Sequence, residues 1–168
     1  MSGWREVGPS AALSLCAGAE PGINVSLYID TSCLFKLLWQ ELETSRTEEI
    51  VSSEPTVLVS SLARLEMTVQ IHERRMGGAL TKSAVVCLLG QMQRLFASEP
   101  FEFRTCPAGL VELAEKQIRH LEKGSYCRTM DRLHLAAAIE LGARRLLTND
   151  DAQARAARSA GLQVLMPR

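Results

Sequence analysis

The chain has 168 residues, 46% of them hydrophobic and 23% charged, and its 19 Lys plus Arg are balanced by 19 Asp plus Glu. A chain of this length buries roughly two-thirds of its unfolded surface and can fold as one domain without disulfides or a structural metal. A disordered polyelectrolyte is excluded, and no apolar run approaches the roughly 18 residues that would cross a bilayer, so no membrane association is expected. Zero net charge argues against bulk duplex binding. The charge is uneven, however: residues 41–54 hold five acids against Arg46, and residues 127–168 hold seven Arg against four acids. Five cysteines (16, 33, 87, 106 and 127) are odd in number and lack both C-x-x-C and Cys/His zinc spacing. They read as reduced thiols of a cytoplasmic protein.

Residues 1–24 carry Gly3, Gly8, Pro9, Gly18, Pro21 and Gly22 without sustained periodicity. They read as a loosely ordered tail before a single domain over 25–168, or as a segment ahead of a true start near Val25. Residues 11–19 imitate an export signal poorly, since Pro9 intrudes and Glu6 offsets Arg5. Residues 25–30 are apolar nearly throughout, as in a parallel strand buried on both faces. Ser32 is expected to cap a helix with apolar positions Leu34, Leu37, Leu38 and Leu42, and Ser45 with Glu48 suggests a capping box opening a second helix. A strand over 56–60 follows, then a helix over 61–76 stopped at Gly77-Gly78, then a helix from Thr81 that ends before Pro100. Residues 101–105 form a weaker strand. Pro107 suits the first turn of a helix through Leu110, Ala114, Ile118 and Leu121 that ends at Gly124. Thr129 is expected to cap a helix ended by Gly142, residues 145–148 a strand, Asp150 to cap a helix ended by Gly161, and residues 163–166 a last strand. The alternation predicts an α/β fold of three layers, α/β/α, around a central, mostly parallel sheet of four to five strands.

In such a sheet ligands gather beyond the carboxyl ends of the strands. Asp30 closes the first strand, Asp150 follows the fourth, and Glu66 and Asp131 lie in otherwise apolar helical surroundings. Each has a plain alternative: Asp150 as a helix cap, Asp131 as a complement to the helix dipole, Glu66 as part of a solvated face with Arg64, Gln70 and His72. Asp30 has the fewest structural duties. Four converging carboxylates are mutually repulsive, and oxygen-only donors select Mg²⁺ or Mn²⁺ over zinc. His72, His120 and His134 read as packing or hydrogen-bonding residues rather than ligands, and Phe35 and Trp39 as core.

These pieces, Leu27-Tyr28-Ile29-Asp30-Thr31-Ser32, Ser60-Ser61-Leu62-Ala63-Arg64-Leu65-Glu66, Asp131-Arg132-Leu133-His134-Leu135-Ala136-Ala137-Ala138 and Leu147-Thr148-Asn149-Asp150, resemble the PIN-domain family, and within it the VapC-type toxins of toxin–antitoxin pairs. The resemblance implies a metal-dependent endoribonuclease with Asp30, Glu66, Asp131 and Asp150 as catalytic acids. Mg²⁺, with Mn²⁺ as a substitute, would be held by Asp30, Asp131 and Asp150, with Glu66 acting through a water. Ser32 and Thr148 are expected to orient the carboxylates, and Arg128 and Arg132 to contact RNA phosphates. The resemblance further implies a homodimer blocked by a cognate antitoxin protein. A catalytically silent PIN-like module that binds RNA or protein is the alternative. A phosphotransfer domain is disfavoured because Asp30 has no second Asp two residues on, and no phosphate-binding glycine loop is present.

Overall fold

In the computed structural model of the chain, Leu27, Tyr28 and Ile29 have no exposure to solvent, which a strand achieves only when neighbours and helices cover it on every side. The structure describes residues 26–119 and 123–168; the expected tail over 1–24, and the positions expected for His120 and Leu121, lie outside the described residues. That first strand, β1 (Leu27–Ile29), leads into α1 (Thr31–Lys36), α2 (Thr44–Ser52), β2 (Val57–Ser60), α3 (Ser61–Met76), α4 (Lys82–Phe96) and β3 (Phe101–Arg104). The chain continues through α5 (Leu110–Ile118), α6 (Thr129–Glu140), β4 (Arg145–Leu147), α7 (Asp151–Ser159) and β5 (Gln163–Leu165).

All the strand pairings are parallel, in the order β3-β2-β1-β4-β5. The chain builds outward from β1 to β3 and then crosses back to build β4 and β5 on the other side, so β1 is where the winding direction reverses. Strand alternation divides the core. Leu27, Ile29, Val57, Val59 and Leu147 pack on one face with residues of α1 to α4, including Leu34, Met67 and Val85. Tyr28, Leu58 and Leu146 pack on the other face with Leu135, Ala137 and Ala138 of α6 and Ala156 and Ala157 of α7. The small side chains let these two helices lie close to the sheet. The expected three-layer α/β/α architecture is what the chain adopts. No helix among the described residues is long and apolar enough to cross a membrane.

Several helix starts differ from the sequence expectation. Asp30, not Ser32, caps α1: its Oδ1 accepts the Cys33 N–H at 3.0 Å, and Ser32 lies inside the first turn. The same helix stops after Lys36, whose ammonium reaches Glu41 and Glu43 at 2.7 and 2.8 Å while the Thr44 hydroxyl donates to its carbonyl. The turn thus closed leaves Leu42 outside the helix and 94% exposed, and Trp39 is exposed rather than core. Glu43 holds the cap position of α2 with no side-chain cap bond, so the Ser45–Glu48 box does not form. Pro107 precedes α5, which starts after Gly109 in a left-handed conformation (φ 78°) that glycine adopts without strain. Thr129 is the first residue of α6 rather than its cap. Thr81 and Asp150 do cap α4 and α7.

At the opposite, amino-terminal end of β4, the guanidinium of Arg145 grips the Glu54 carboxylate through two nitrogens, one contact at 2.8 Å. Glu54 is buried, and it ties the loop after α2 to the second half of the sheet. Breaking a buried pair leaves an uncompensated charge, which costs about 3–5 kcal/mol. Glu54→Ala is therefore expected to lower unfolding stability on that scale in a urea titration, and a loss below about 1 kcal/mol would show that the pair contributes little.

Candidate active site

The carboxyl ends of β1 and β4 are adjacent, and the backbone keeps them so: the Asp30 N–H donates to the Leu147 carbonyl at 3.1 Å. From there Asp30 and Asp150 project toward one cavity of about 610 Å³, which is also lined by Glu66 of α3, Asp131 of α6 and Arg128. The four acids expected from the sequence converge.

Asp30 is the most buried of them. Its Oδ1 accepts from the Ser32 hydroxyl at 2.8 Å and from the Cys33 N–H, and its Oδ2 accepts from the Thr148 hydroxyl at 2.7 Å. Burial pushes the carboxyl above its usual range, and the bonds from Thr148, Cys33 and Ser32 oppose that rise. Glu66 sits on the second turn of α3. Its Oε2 accepts from His134 Nε2 at 2.9 Å and from the Thr31 hydroxyl at 2.5 Å, and the His134 bond, more than any other contact, holds this carboxyl below its usual range. Asp131 stands in the first turn of α6 and reaches back to the Arg128 N–H at 3.2 Å. Asp150 caps α7 through the Gln153 N–H at 2.8 Å. Both helix roles expected as plain alternatives for Asp131 and Asp150 are thus present, and neither consumes every oxygen.

Asp131 and Asp150 share one cation. Arg128 donates from Nε to Asp131 Oδ2 at 3.2 Å and from Nη2 to Asp150 Oδ2 at 3.1 Å, with a side chain 75% exposed. Its positive charge lies between two carboxylates of the cavity. The donors are of the right kind for a hard divalent ion: carboxylates, together with Asn149 Oδ1 and the Gln153 carboxamide, which are buried with no hydrogen-bond partner. Among the described residues, no group of three or more His, Cys, Asp and Glu side chains is already gathered as a metal site. The ligand types fit Mg²⁺ or Mn²⁺, and closing them on an ion would require Arg128 to give up its place.

Ser32 and Thr148 each donate a hydrogen bond to an oxygen of Asp30. Arg132 does not reach the cavity: it is 5% exposed, and its Nη2 donates to the Ser125 carbonyl at 2.9 Å, so of the two arginines expected to meet RNA only Arg128 faces it. Its position four residues into a helix with an Ala-rich buried face turns it inward. Thr31, Asn149 and Gln153 were not anticipated. Thr31 meets Glu66 across 35 residues, a contact that no local spacing signals.

A family model described as PIN domain matches residues 27–159. No curated protein matches the chain in sequence. Among solved structures, FitAcB from Neisseria gonorrhoeae superimposes with a TM-score of 0.65 at 15% identity, covering 84% of this chain and 97% of that one. VapBC2 from Rickettsia felis, solved bound to a DNA fragment from its promoter, gives 0.62 at 15% identity, covering 84% and 98%. VapC20 from Mycobacterium tuberculosis, described as a toxin that cleaves the sarcin–ricin loop, gives 0.59 at 19% identity, covering 81% and 95%.

The raised Asp30 carboxyl carries a sign. Above the ordinary carboxyl range its ionised form is disfavoured in the folded state relative to the unfolded one, so it subtracts stability as pH rises through that range. Asp30→Asn keeps the helix cap and removes the charge. Its melting temperature in EDTA at pH 7 is expected to exceed that of the wild type, with the gain shrinking as pH falls through the carboxyl range. A lower melting temperature would overturn this.

Proposed function

The chain belongs to the PIN domain family, and from that membership we propose that it is a divalent-metal-dependent endoribonuclease, the toxin of a type II toxin–antitoxin pair. The observation that carries the reading is the convergence of Asp30, Glu66, Asp131 and Asp150 on one open cavity at the reversal point of a parallel sheet. Bound Mg²⁺, or Mn²⁺ in its place, supplies Lewis-acid activation of water and neutralises charge at the attacked phosphate.

The chain's own groups have distinct tasks in this reading. Asp30 and Asp131 hold the ion, and Asp150 shares it. Asp30 is aimed by Ser32 and Thr148, which keep its oxygens from rotating. Glu66, kept ionised by its donors, accepts a proton from the attacking water. Arg128, once released by the acids, presents a planar fork to a phosphate oxygen pair. RNA is the substrate, the cognate antitoxin is a protein that covers the cavity, and the chain works as a homodimer in the cytoplasm. Support for the partner comes from the VapBC2 and FitAcB structures, and support for a reducing compartment from free Cys33, Cys87, Cys106 and Cys127.

Purified protein is expected to cut a mixed RNA pool with Mg²⁺ or Mn²⁺ and to stop with EDTA, and Asp30→Asn is expected to lose about 10²-fold or more, the scale on which charge-stabilising groups act. Equal cutting by wild type and variant would sink the assignment; metal binding without cutting of any RNA would leave the silent module. A second expectation separates Arg128 from the acids. Arg128→Gln removes the competing cation, so calorimetric Mn²⁺ affinity should tighten about two- to fivefold, the range of an exposed ion pair, while cleavage falls. Unchanged affinity would show that the guanidinium does not compete.

A further inference from the structure

Tyr28 lies in the middle of β1 with its hydroxyl sealed from solvent, where an unpaired O–H would be costly. The hydroxyl is 2.7 Å from Ser60 Oγ and 2.8 Å from His134 Nδ1. Ser60 caps α3, its Oγ accepting the Ala63 N–H at 3.2 Å. His134, 2% exposed, turns its other nitrogen to Glu66 at 2.9 Å, with the Thr31 hydroxyl 3.3 Å away. The four side chains form a buried line from the start of α3, through the sheet and α6, back to α3 one and a half turns on.

The ends of that line have fixed roles, because a backbone N–H only donates and an ionised carboxylate only accepts. Ser60 accepts from Ala63, and the imidazole keeps a hydrogen on Nε2, which donates to Glu66. Between them the Tyr28 hydroxyl bridges Ser60 Oγ and Nδ1. Thr31 donates to the same Glu66 oxygen, leaving Oε1 for the cavity.

We propose that His134 is a positioning residue, its ring held by Tyr28 and Ser60 with Nε2–H turned to Glu66, which fixes the Glu66 carboxylate at the cavity wall with one oxygen bound and the other free. This deepens the nuclease reading and, for its kinetic consequence, rests on it. His134 does not touch substrate; it removes the rotational freedom of the group that does. A loose Glu66 would be bound as well but aimed less often, so the effect belongs in kcat and not in KM.

The test has two arms on the full chain. Long-range ¹H–¹⁵N spectra, with the His134 signals assigned by their loss in His134→Gln, are expected to show a ring protonated on Nε2, and Tyr28→Phe is expected to shift Nδ1 by removing its partner. A ring with Nε2 bare, the Nδ1–H form, would overturn the proposal whether or not RNA is cut. In metal-dependent cleavage, His134→Leu is expected to lower kcat about 10- to 100-fold with KM unchanged. His134→Gln, which restores a donor near the Nε2 position, is expected to recover to within about fivefold of wild type. Tyr28→Phe keeps the packed ring and serves where His134→Leu fails to fold; its kcat should fall at least threefold. Wild-type kcat in both Leu and Phe variants would overturn the proposal and leave the nuclease standing, whereas a wild type that cuts no RNA would remove the nuclease and leave the spectra to decide the tautomer.

Discussion

A carboxylate almost shut off from water stays where it is only if donors meet its oxygens, and for Asp30 those donors come from three directions. Cys33 N and the Ser32 hydroxyl belong to the first turn of α1, and the Thr148 hydroxyl belongs to the end of β4. The entry of α1, the register of β1 against β4 and the start of the loop to α7 must all be right together. Slipping β4 by one residue would turn Thr148 to the other face and leave the acid unsupported. The parallel pairing Tyr28↔Leu146 and Ile29↔Leu147 thus acts as part of the site as much as part of the core.

The same economy recurs at the other acids. Asp131 and Asp150 begin helices and use oxygens on backbone N–H groups, so each is aimed by its own helix. Glu66 has no such anchor from its backbone and is instead held from across the molecule by His134 and Thr31. Two kinds of acid result: ones rigid by local geometry, and one rigid by tertiary contact. The positive charge of Arg128 keeps the first kind from repelling one another, and it does so from an exposed position where water screens it and little holds it fast.

The fold was legible because its signals are redundant. Apolar strands of β-branched and aliphatic residues, glycines after helices and alternation of the two periods all pointed to parallel α/β, and the ends of the first and fourth strands located Asp30 and Asp150. Helix starts were less legible. Choosing Ser32 over Asp30 as a cap failed because both can accept, and only the pairing of β1 with its neighbours decides which residue leaves the strand. The false extension to Leu42 came from reading period 3.6 past Lys36, where a buried ammonium and two glutamates reverse the chain. Arg132 was misjudged because charge suggests solvent, whereas its place on the inward face of α6 and the Ser125 carbonyl determine its fate. His134 was expected to pack or hydrogen-bond, and it does bond, but its partners lie 68 and 106 residues away in sequence, and no local pattern names them.

The bond from Thr148 to Asp30 spans 118 residues. During synthesis the first six helices and three strands leave the ribosome while β1 has an open edge where β4 will lie. At about 5–20 residues per second the interval from Asp30 to Thr148 lasts roughly 6–24 s. Throughout it Asp30 lacks its distal donor, and Asp131 and Asp150 have yet to arrive for most of it. A nascent chain therefore holds no assembled acidic cavity until Thr148 and Asp150 have emerged to meet Asp30.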